Sequence, residues 1–426
     1  MSNTTESMNS QASDMSNIDV VIIGAGPSGS VAGALLVQKG YRVHIVEKQH
    51  FPRFSIGESL LPQCMEFLEE ANMIDALHSS ADQLEFQFKN GAAFARGETY
   101  TDFNFAEKFS EGPTTTYQVR RADFDHLLAQ ESEKKGVTIT WGHEITSINV
   151  DGERPVLGAR DEDGKDYELQ CRYVLDASGF GRVLPRLLDL NRPSKFPVRS
   201  SLFTHVEDNM VPEEFDREKI LITIHPDHKD VWFWLIPFSD GRSSFGVVAK
   251  NEFFDSLPKD SEERLQTIIA QVPSLKKILR NAKFDTPVRQ ITGYSSDVTS
   301  LWGNNFALLG NAGEFLDPVF SSGVTIAMKS ASMVSSLLDR KFKGETIDWE
   351  KEYGEPLRAG VDTFRVFVEA WYDGRFQDII FAPKPTIKIR EMICSILAGY
   401  AWDIKNPYVK DSERRMNALA EVCQTI

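Results

Sequence analysis

The chain has 426 residues, with 47 Lys and Arg against 62 Asp and Glu, for a net charge of −15. That balance argues against a nucleic-acid partner or an anionic-membrane surface. The 41% hydrophobic content suffices for a sizeable core in one large or two modest domains, at roughly 150 residues per domain.

Residues 1–17 are polar and lack both basic residues and an apolar stretch, so they read as a disordered tail rather than a signal peptide. No run of about 18 apolar residues follows, and no transmembrane helix is expected. Cys64, Cys171, Cys394 and Cys423 form no C-x-x-C pair, so no metal site or dithiol motif is indicated. The expected compartment is reducing and cytoplasmic.

The next elements form a βαβ opening. Ile18–Ile23 is apolar except for Asp19 and suits a buried parallel strand. Ser28–Lys39 reads as a helix ending at Gly40, and Tyr41–Glu47 as a second strand. Between first strand and helix lies Gly24-Ala25-Gly26-Pro27-Ser28-Gly29. In this arrangement Gly24 permits the tight turn, Gly26 lets a pyrophosphate approach the backbone, and Gly29 lets helix and strand pack closely. The helix N-terminus offers free N–H groups to phosphates, with Ser28 in its first turn. Glu47 ends the second strand, where an acid binds a ribose hydroxyl and disfavours a 2′-phosphate.

A helix is expected from Pro62 to about Asn72. Leu84–Arg96 alternates around Asn90-Gly91, a hairpin turn signal that places Lys89 beside the turn. Arg121–Lys135 reads as a helix stopped by Gly136, and Val137–Arg160 as strand, turn and strand. Tyr173–Asp176 is a strand running into Ala177-Ser178-Gly179, and Phe306–Gly310 another running into Asn311. The small residues after each strand suit close backbone approach. Between them, about 195–300, short alternating segments such as Ser200–Val206, Val231–Pro237 and Ser243–Ala249 suggest a mostly antiparallel sheet. Ser322–Arg340 is a helix with Val324, Ala327, Met328, Ala331, Val334 and Leu338 on one face. The remainder reads as helical and rich in aromatics.

The fold class expected is therefore α/β: a Rossmann-type dinucleotide-binding domain (18–194 and 301–340), an inserted mostly antiparallel substrate region (195–300) and a helical C-terminal region (341–426). The late Gly310-Asn311 resembles the Gly-Asp with which glutathione-reductase-like flavoproteins hold the ribityl chain, which makes FAD the expected cofactor. Asn311 stands where Asp is usual, and it still donates and accepts hydrogen bonds.

Four segments together resemble the flavin-dependent halogenases over roughly residues 18–340: Phe51–Leu60 (FPRFSIGESL), Phe88-Lys89-Asn90-Gly91, the W-x-W-x-I-P match at Trp232–Pro237, and Phe315–Val324 (FLDPVFSSGV). The resemblance implies FAD contacts at Lys48, Arg53, Ser55, Ile56, Gly57, Arg121, Ala177, Ser178, Gly179, Gly310, Asn311, Pro318, Gly323 and Val324, besides the glycine loop and Glu47. It implies a halide, chloride or bromide, on the backbone N–H groups of Ser322 and Gly323. It implies a catalytic Lys89 that carries electrophilic halogen to the substrate, and Trp232 and Trp234 as a wall between flavin and substrate. The same tryptophans read alone as core packing.

Tryptophan halogenases carry a glutamate where this chain has Phe320. The departure points to phenols or carrier-protein-bound pyrroles as substrates, with FADH2 supplied by a separate flavin reductase. Two other readings stay open. One is an aromatic monooxygenase, suggested by Asp176–Gly179 with Arg182 and Arg186; the other is a geranylgeranyl-reductase-like enzyme, suggested by Phe51–Leu60.

Overall fold

The structure is a computed structural model that describes residues 17–382 and 386–424. Apart from Asn17, the segment read as a tail lies outside the described residues.

The first strand β1 (Val20–Ile23) is buried at every position. It pairs in parallel with β2 (Val43–Glu47) on one side and with Tyr173–Asp176 on the other. Both of its faces are packed in one apolar cluster, which explains the unbroken apolar run. The helix α1 (Pro27–Gln38) starts with Pro at its first position, where the missing N–H costs nothing. Gly24 has φ +99°, and a Cβ on it would lie 2.7 Å from the Ala177 carbonyl oxygen, so the turn before α1 requires glycine.

In chain order the elements used below are β3 (Gln87–Lys89), β4 (Gly91–Arg96), β5 (Thr99–Asn104), β6 (Thr116–Gln118), α2 (Arg121–Lys134), β7 (Thr138–Trp141), β8 (Tyr173–Asp176), β9 (Arg199–Glu207), β10 (Lys219–Ile224), β11 (Trp232–Pro237), β12 (Arg242–Lys250), β13 (Arg289–Thr292), β14 (Phe306–Leu308), α3 (Ser322–Phe342) and α4 (Glu355–Asp373). Two layers result. A six-stranded sheet runs Trp302–Gly303, β14, β8, β1, β2, β7, and a seven-stranded sheet runs β13, β9, β12, β11, β10, β4, β5. The first carries the nucleotide-binding turns. The second is antiparallel except for the parallel pair β10–β4, and it draws β4 and β5 from residues 91–104 beside strands from 199–292.

Asn90-Gly91 is not a hairpin turn. β3 pairs with β6, while β4 pairs with β5 and β10 in the larger sheet. The alternation read there is genuine, but it belongs to two strands of different sheets. Asn90 is the joint, fixed to the large sheet by its N–H to the Glu218 carbonyl (2.9 Å) and by its carbonyl, which accepts from Phe105 N–H (2.8 Å). Likewise Val137–Arg160 holds three strands: β7 joins the parallel sheet, and Glu144–Asn149 and Val156–Arg160 pair in a separate three-stranded sheet.

Three apolar clusters follow from these layers. One lies around β1, β8, α1 and α3, a second between one face of the large sheet and the C-terminal helices, and a third between its other face and residues 254–279. The aromatic C-terminal segment is largely core: Phe364, Phe367 and Trp371 of α4 are fully buried. No helix among the described residues is long and apolar enough to cross a membrane.

Candidate active site

The ends of β1, β2 and β8, the N-terminus of α3 and one face of the large sheet enclose a cavity of about 480 Å³. This volume lies in the range of small-molecule and cofactor sites. Most residues singled out from the sequence meet there: Gly24, Gly26, Ser28, Glu47, Lys48, Arg53, Ser55, Ile56, Gly57, Arg121, Ala177, Ser178, Gly179, Trp232, Trp234, Asn311, Pro318, Ser322, Gly323 and Val324. Gly29 and Gly310 do not line it. Their lack of a side chain serves packing instead: Gly29 abuts the Gly24 carbonyl, and a Cβ on Gly310 would lie 2.8 Å from the Ala327 methyl.

The glycine loop is held by Glu47, whose carboxylate accepts from the N–H of Ala25 (2.8 Å) and of Gln49 (2.9 Å). Lys48 pairs with Glu144 at the exposed rim. Asp125, on the first turns of α2, is almost fully buried and accepts from Arg121 with both oxygens (2.7 and 3.0 Å), sharing the second with Arg53 (2.8 Å). The Arg121 guanidinium also donates to the carbonyl of Ile56 (3.0 Å). One buried carboxylate thus fixes two cations of the cavity wall and the segment leading to Gly57. Asp125 was not singled out from sequence, because its partner Arg53 is distant in the chain.

The two tryptophans alternate on one face of β11. Trp232 Nε1 donates to the Tyr372 hydroxyl (2.9 Å) and Trp234 Nε1 to Ser244 (3.0 Å). Both are buried and both line the cavity, so they are core and wall at once. Phe320 packs edge-on against Phe367, Trp371 and Phe376. Its position is therefore an apolar contact between the turn before α3 and the C-terminal helices.

Lys89 is fully buried and lies outside the cavity lining. Its ammonium donates to Ser59 Oγ (2.7 Å) and to the Leu60 carbonyl (2.7 Å) and lies 5.5 Å from the Phe105 ring centre. No carboxylate among the described residues pairs with it. Burial holds its pKa down to about 7. Ser59 does line the cavity, so one serine stands between amine and open space. The expectation of a lysine directly beside a hairpin turn thus gives way to a buried one, sealed in by the joint at Asn90.

Glu58, the neighbour of Ser59, is also buried on the cavity wall, with one oxygen bound to His205 (2.7 Å). Of the two arginines tied to the monooxygenase reading, Arg186 lines the cavity, whereas Arg182 turns into the loop at 296–313 and donates to Ser296 (2.7 Å) and the Asp297 carbonyl (2.8 Å).

A family model described as FAD binding domain matches residues 17–349. The chain belongs to the FAD-binding domain family. Within it, the chain is 30% identical over 336 residues to a tryptophan 2-halogenase of Chondromyces crocatus, covering 78% of this chain but 62% of that protein. It is 27% identical over 437 residues to a 1H-pyrrole-2-carbonyl (peptidyl-carrier protein) chlorinase of Pseudomonas fluorescens, covering 95% of this chain and 94% of that one. Among solved structures it resembles a flavoprotein/dehydrogenase from Cytophaga hutchinsonii with TM-score 0.92 and 43% identity, covering 96% and 99% of the two chains. These relatives bear out the resemblance to flavin-dependent halogenases and the FAD cofactor, and they make this FAD-binding protein an enzyme of the oxidoreductase type.

The cavity of this FAD-binding enzyme fits the flavin on its own evidence. Asn311 Oδ1 is buried without a hydrogen-bond partner on the cavity wall, beside Gly323. No side chain caps the N-terminus of α3, which leaves its first N–H groups free toward the same space. A Cβ on Gly323 would stand 3.3 Å from the Phe315 ring and 3.6 Å from the Asn311 oxygen, so the glycine leaves the space beside both clear.

Proposed function

We propose that this enzyme halogenates an electron-rich aromatic ring, a phenol or a pyrrole, free or bound to a carrier protein. It works in the cytoplasm with FADH2 from a separate flavin reductase. The observation that carries the reading is Lys89: a wholly buried amine without a carboxylate partner among the described residues, tied through Ser59 to the cavity that Trp232 and Trp234 wall.

Gly24, Gly26, Ser28 and Glu47 hold the dinucleotide part of the cofactor. Arg53, Arg121, Ser178, Gly179, Asn311, Pro318 and Val324 line the remainder, and Lys48 guards the rim. When bound in reduced form with O2, FAD supplies the oxidising power that makes a halide electrophilic. The free N–H groups of Ser322 and Gly323 hold the halide, because a helix N-terminus favours an anion. Trp232 and Trp234 exclude the organic substrate from the cofactor. The Lys89 amine receives the electrophilic halogen and presents it to the ring. At a pKa of about 7 it has both a protonated form that donates hydrogen bonds and a neutral form that is nucleophilic. With Phe320 in the slot that takes glutamate in tryptophan halogenases, the substrate must itself be reactive, which favours phenols and pyrroles.

The test is to combine enzyme, FAD, a flavin reductase, NADH and bromide with a phenol or pyrrole acceptor and to analyse products by mass spectrometry. Brominated ring is expected, and it is lost in Lys89→Met. Hydroxylated ring in place of brominated ring would make the enzyme a monooxygenase.

A further inference from the structure

The two wall tryptophans are secured in different ways. Trp234 is held from within its own sheet. Its indole donates to Ser244 on the neighbouring strand β12 (3.0 Å), and its ring fills the space that a Cβ on Gly246 of β12 would need. The Trp232 indole instead reaches out of the sheet, to the Tyr372 hydroxyl of α4 (2.9 Å). That hydroxyl donates to Asp317 (2.8 Å), whose other oxygen accepts from Val319 N–H (3.1 Å) in the turn that leads into α3. Arg199, which opens β9, lays its guanidinium on the Tyr372 ring, 3.4 Å from the centre, and braces the phenol from its face.

A chain of three hydrogen bonds thus joins the cavity wall to the segment that presents the amides of Ser322 and Gly323. Trp232, Pro318, Ser322 and Gly323 all line the same cavity. Chemistry sets the direction of each bond. An indole only donates, so Tyr372 Oη accepts from it and sends its own proton to Asp317. Burial and the Asp317 charge push the Tyr372 hydroxyl well above its ordinary pKa, so it keeps that proton. Asp317 is buried, and its bond with the phenol is charge-assisted, roughly twice as strong as a neutral one. It polarises the hydroxyl and so strengthens the bond from the indole. Burial alone does not call for such a tie: Trp371 is fully buried and its indole N–H has no partner among the described residues.

We infer that Asp317, acting through Tyr372, is a positioning residue that fixes the Trp232 indole relative to the amides of Ser322 and Gly323 and keeps the wall closed between cofactor and organic substrate. The tie itself rests on the three hydrogen bonds. What the closed wall achieves, transfer of halogen rather than oxygen, rests on the halogenase reading.

The test labels the holoenzyme with 5-fluorotryptophan and follows the fluorine resonance of Trp232, assigned by its loss in Trp232→Phe. A single narrow resonance is expected in the wild type. Tyr372→Phe removes the bridging hydroxyl and spares the bond between Asp317 and Val319; the resonance should broaden or split. Asp317→Ala should do the same. Asp317→Asn, whose amide still donates to the phenol oxygen, should do so less, and it serves if the alanine variant does not fold. With flavin reductase, NADH, bromide and a phenol acceptor, Tyr372→Phe should lower brominated product per NADH severalfold. In a Trp232→Phe background the same change should add nothing, because the donor it serves is gone. A resonance unchanged in the variants overturns the inference, as does an equal loss of product with and without Trp232. So does a loss of FAD affinity in step with the loss of product, which would make the residues supports of the fold only. A wild type that brominates no acceptor, with the resonance still responding to Tyr372→Phe, would sink the halogenase reading and leave the tie standing.

Discussion

The Lys89 ammonium lies 2.7 Å from the Ser59 hydroxyl, and Ser59 belongs to the cavity wall while Lys89 does not. A thin polar partition therefore separates the amine from the space that holds the cofactor. Replacing Ser59 by Ala removes one of the two acceptors of the amine and opens this partition. Halogen transfer should fall by at least about tenfold, the equivalent of one lost charged hydrogen bond, while FAD binding followed by flavin fluorescence stays intact. Equal loss of both would mean that Ser59 acts only on the fold.

Lys89 also predicts a pH dependence of stability. Its folded pKa of about 7 lies below the unfolded value near 10.5, so in that window the unfolded chain binds more protons. The contribution of this residue to stability should rise as pH increases from 7 toward 10.5. Urea unfolding at a series of pH values should show a steeper rise for the wild type than for Lys89→Met. Parallel curves would place the amine in a far more solvated setting.

Asp317 works in the opposite direction. Burial raises its pKa from 3.8 to about 6, so between those values the folded chain binds more protons. Its contribution to stability is present below about pH 4 and is lost as pH rises through 6. Asp317→Asn should flatten that slope, and the difference between the two proteins, read from unfolding midpoints across pH 4–7, isolates this one group.

Removing Asp125 strands two cations at once. Asp125→Ala leaves Arg53 and Arg121 without their shared counterion, and breaking a buried pair in this way costs about 3–5 kcal/mol. A calorimetric melting temperature lowered by several degrees and weaker FAD retention on gel filtration are expected together. An unchanged melting temperature would show that solvent already screens the triad.

Gly24→Ala tests the nucleotide turn. Its Cβ would lie 2.7 Å from the Ala177 carbonyl oxygen at a φ of +99°, so β1 and β8 must part or the turn must move. Strain of about 1–3 kcal/mol is the usual cost of such overpacking. FAD affinity should fall more than tenfold, as isothermal titration of the apoenzyme would record.

Much of this was legible in the sequence where signals are local. β1, the glycine turn, α1 and β2 with Glu47 form within thirty residues, and each element is recognisable from its own pattern. The reading failed where alternation had to be assigned to a partner. Gln87–Lys89 and Gly91–Arg96 share one period-two run, yet they pair with β6 and β10, and nothing local names those partners. Asp125 with Arg53, Glu58 with His205 and Arg199 with Tyr372 were illegible for the same reason: each pair meets only after the long-range topology is complete.

The joint at Asn90 has one more consequence. Phe88 is 42% exposed and Lys89 is fully buried, on opposite faces of a three-residue strand. Slippage of β3 by a single position would turn the phenylalanine inward and cast the amine out to water. Where the chain crosses between sheets, the anchoring of one asparagine therefore decides whether Lys89 is held in the interior beside Ser59 at all.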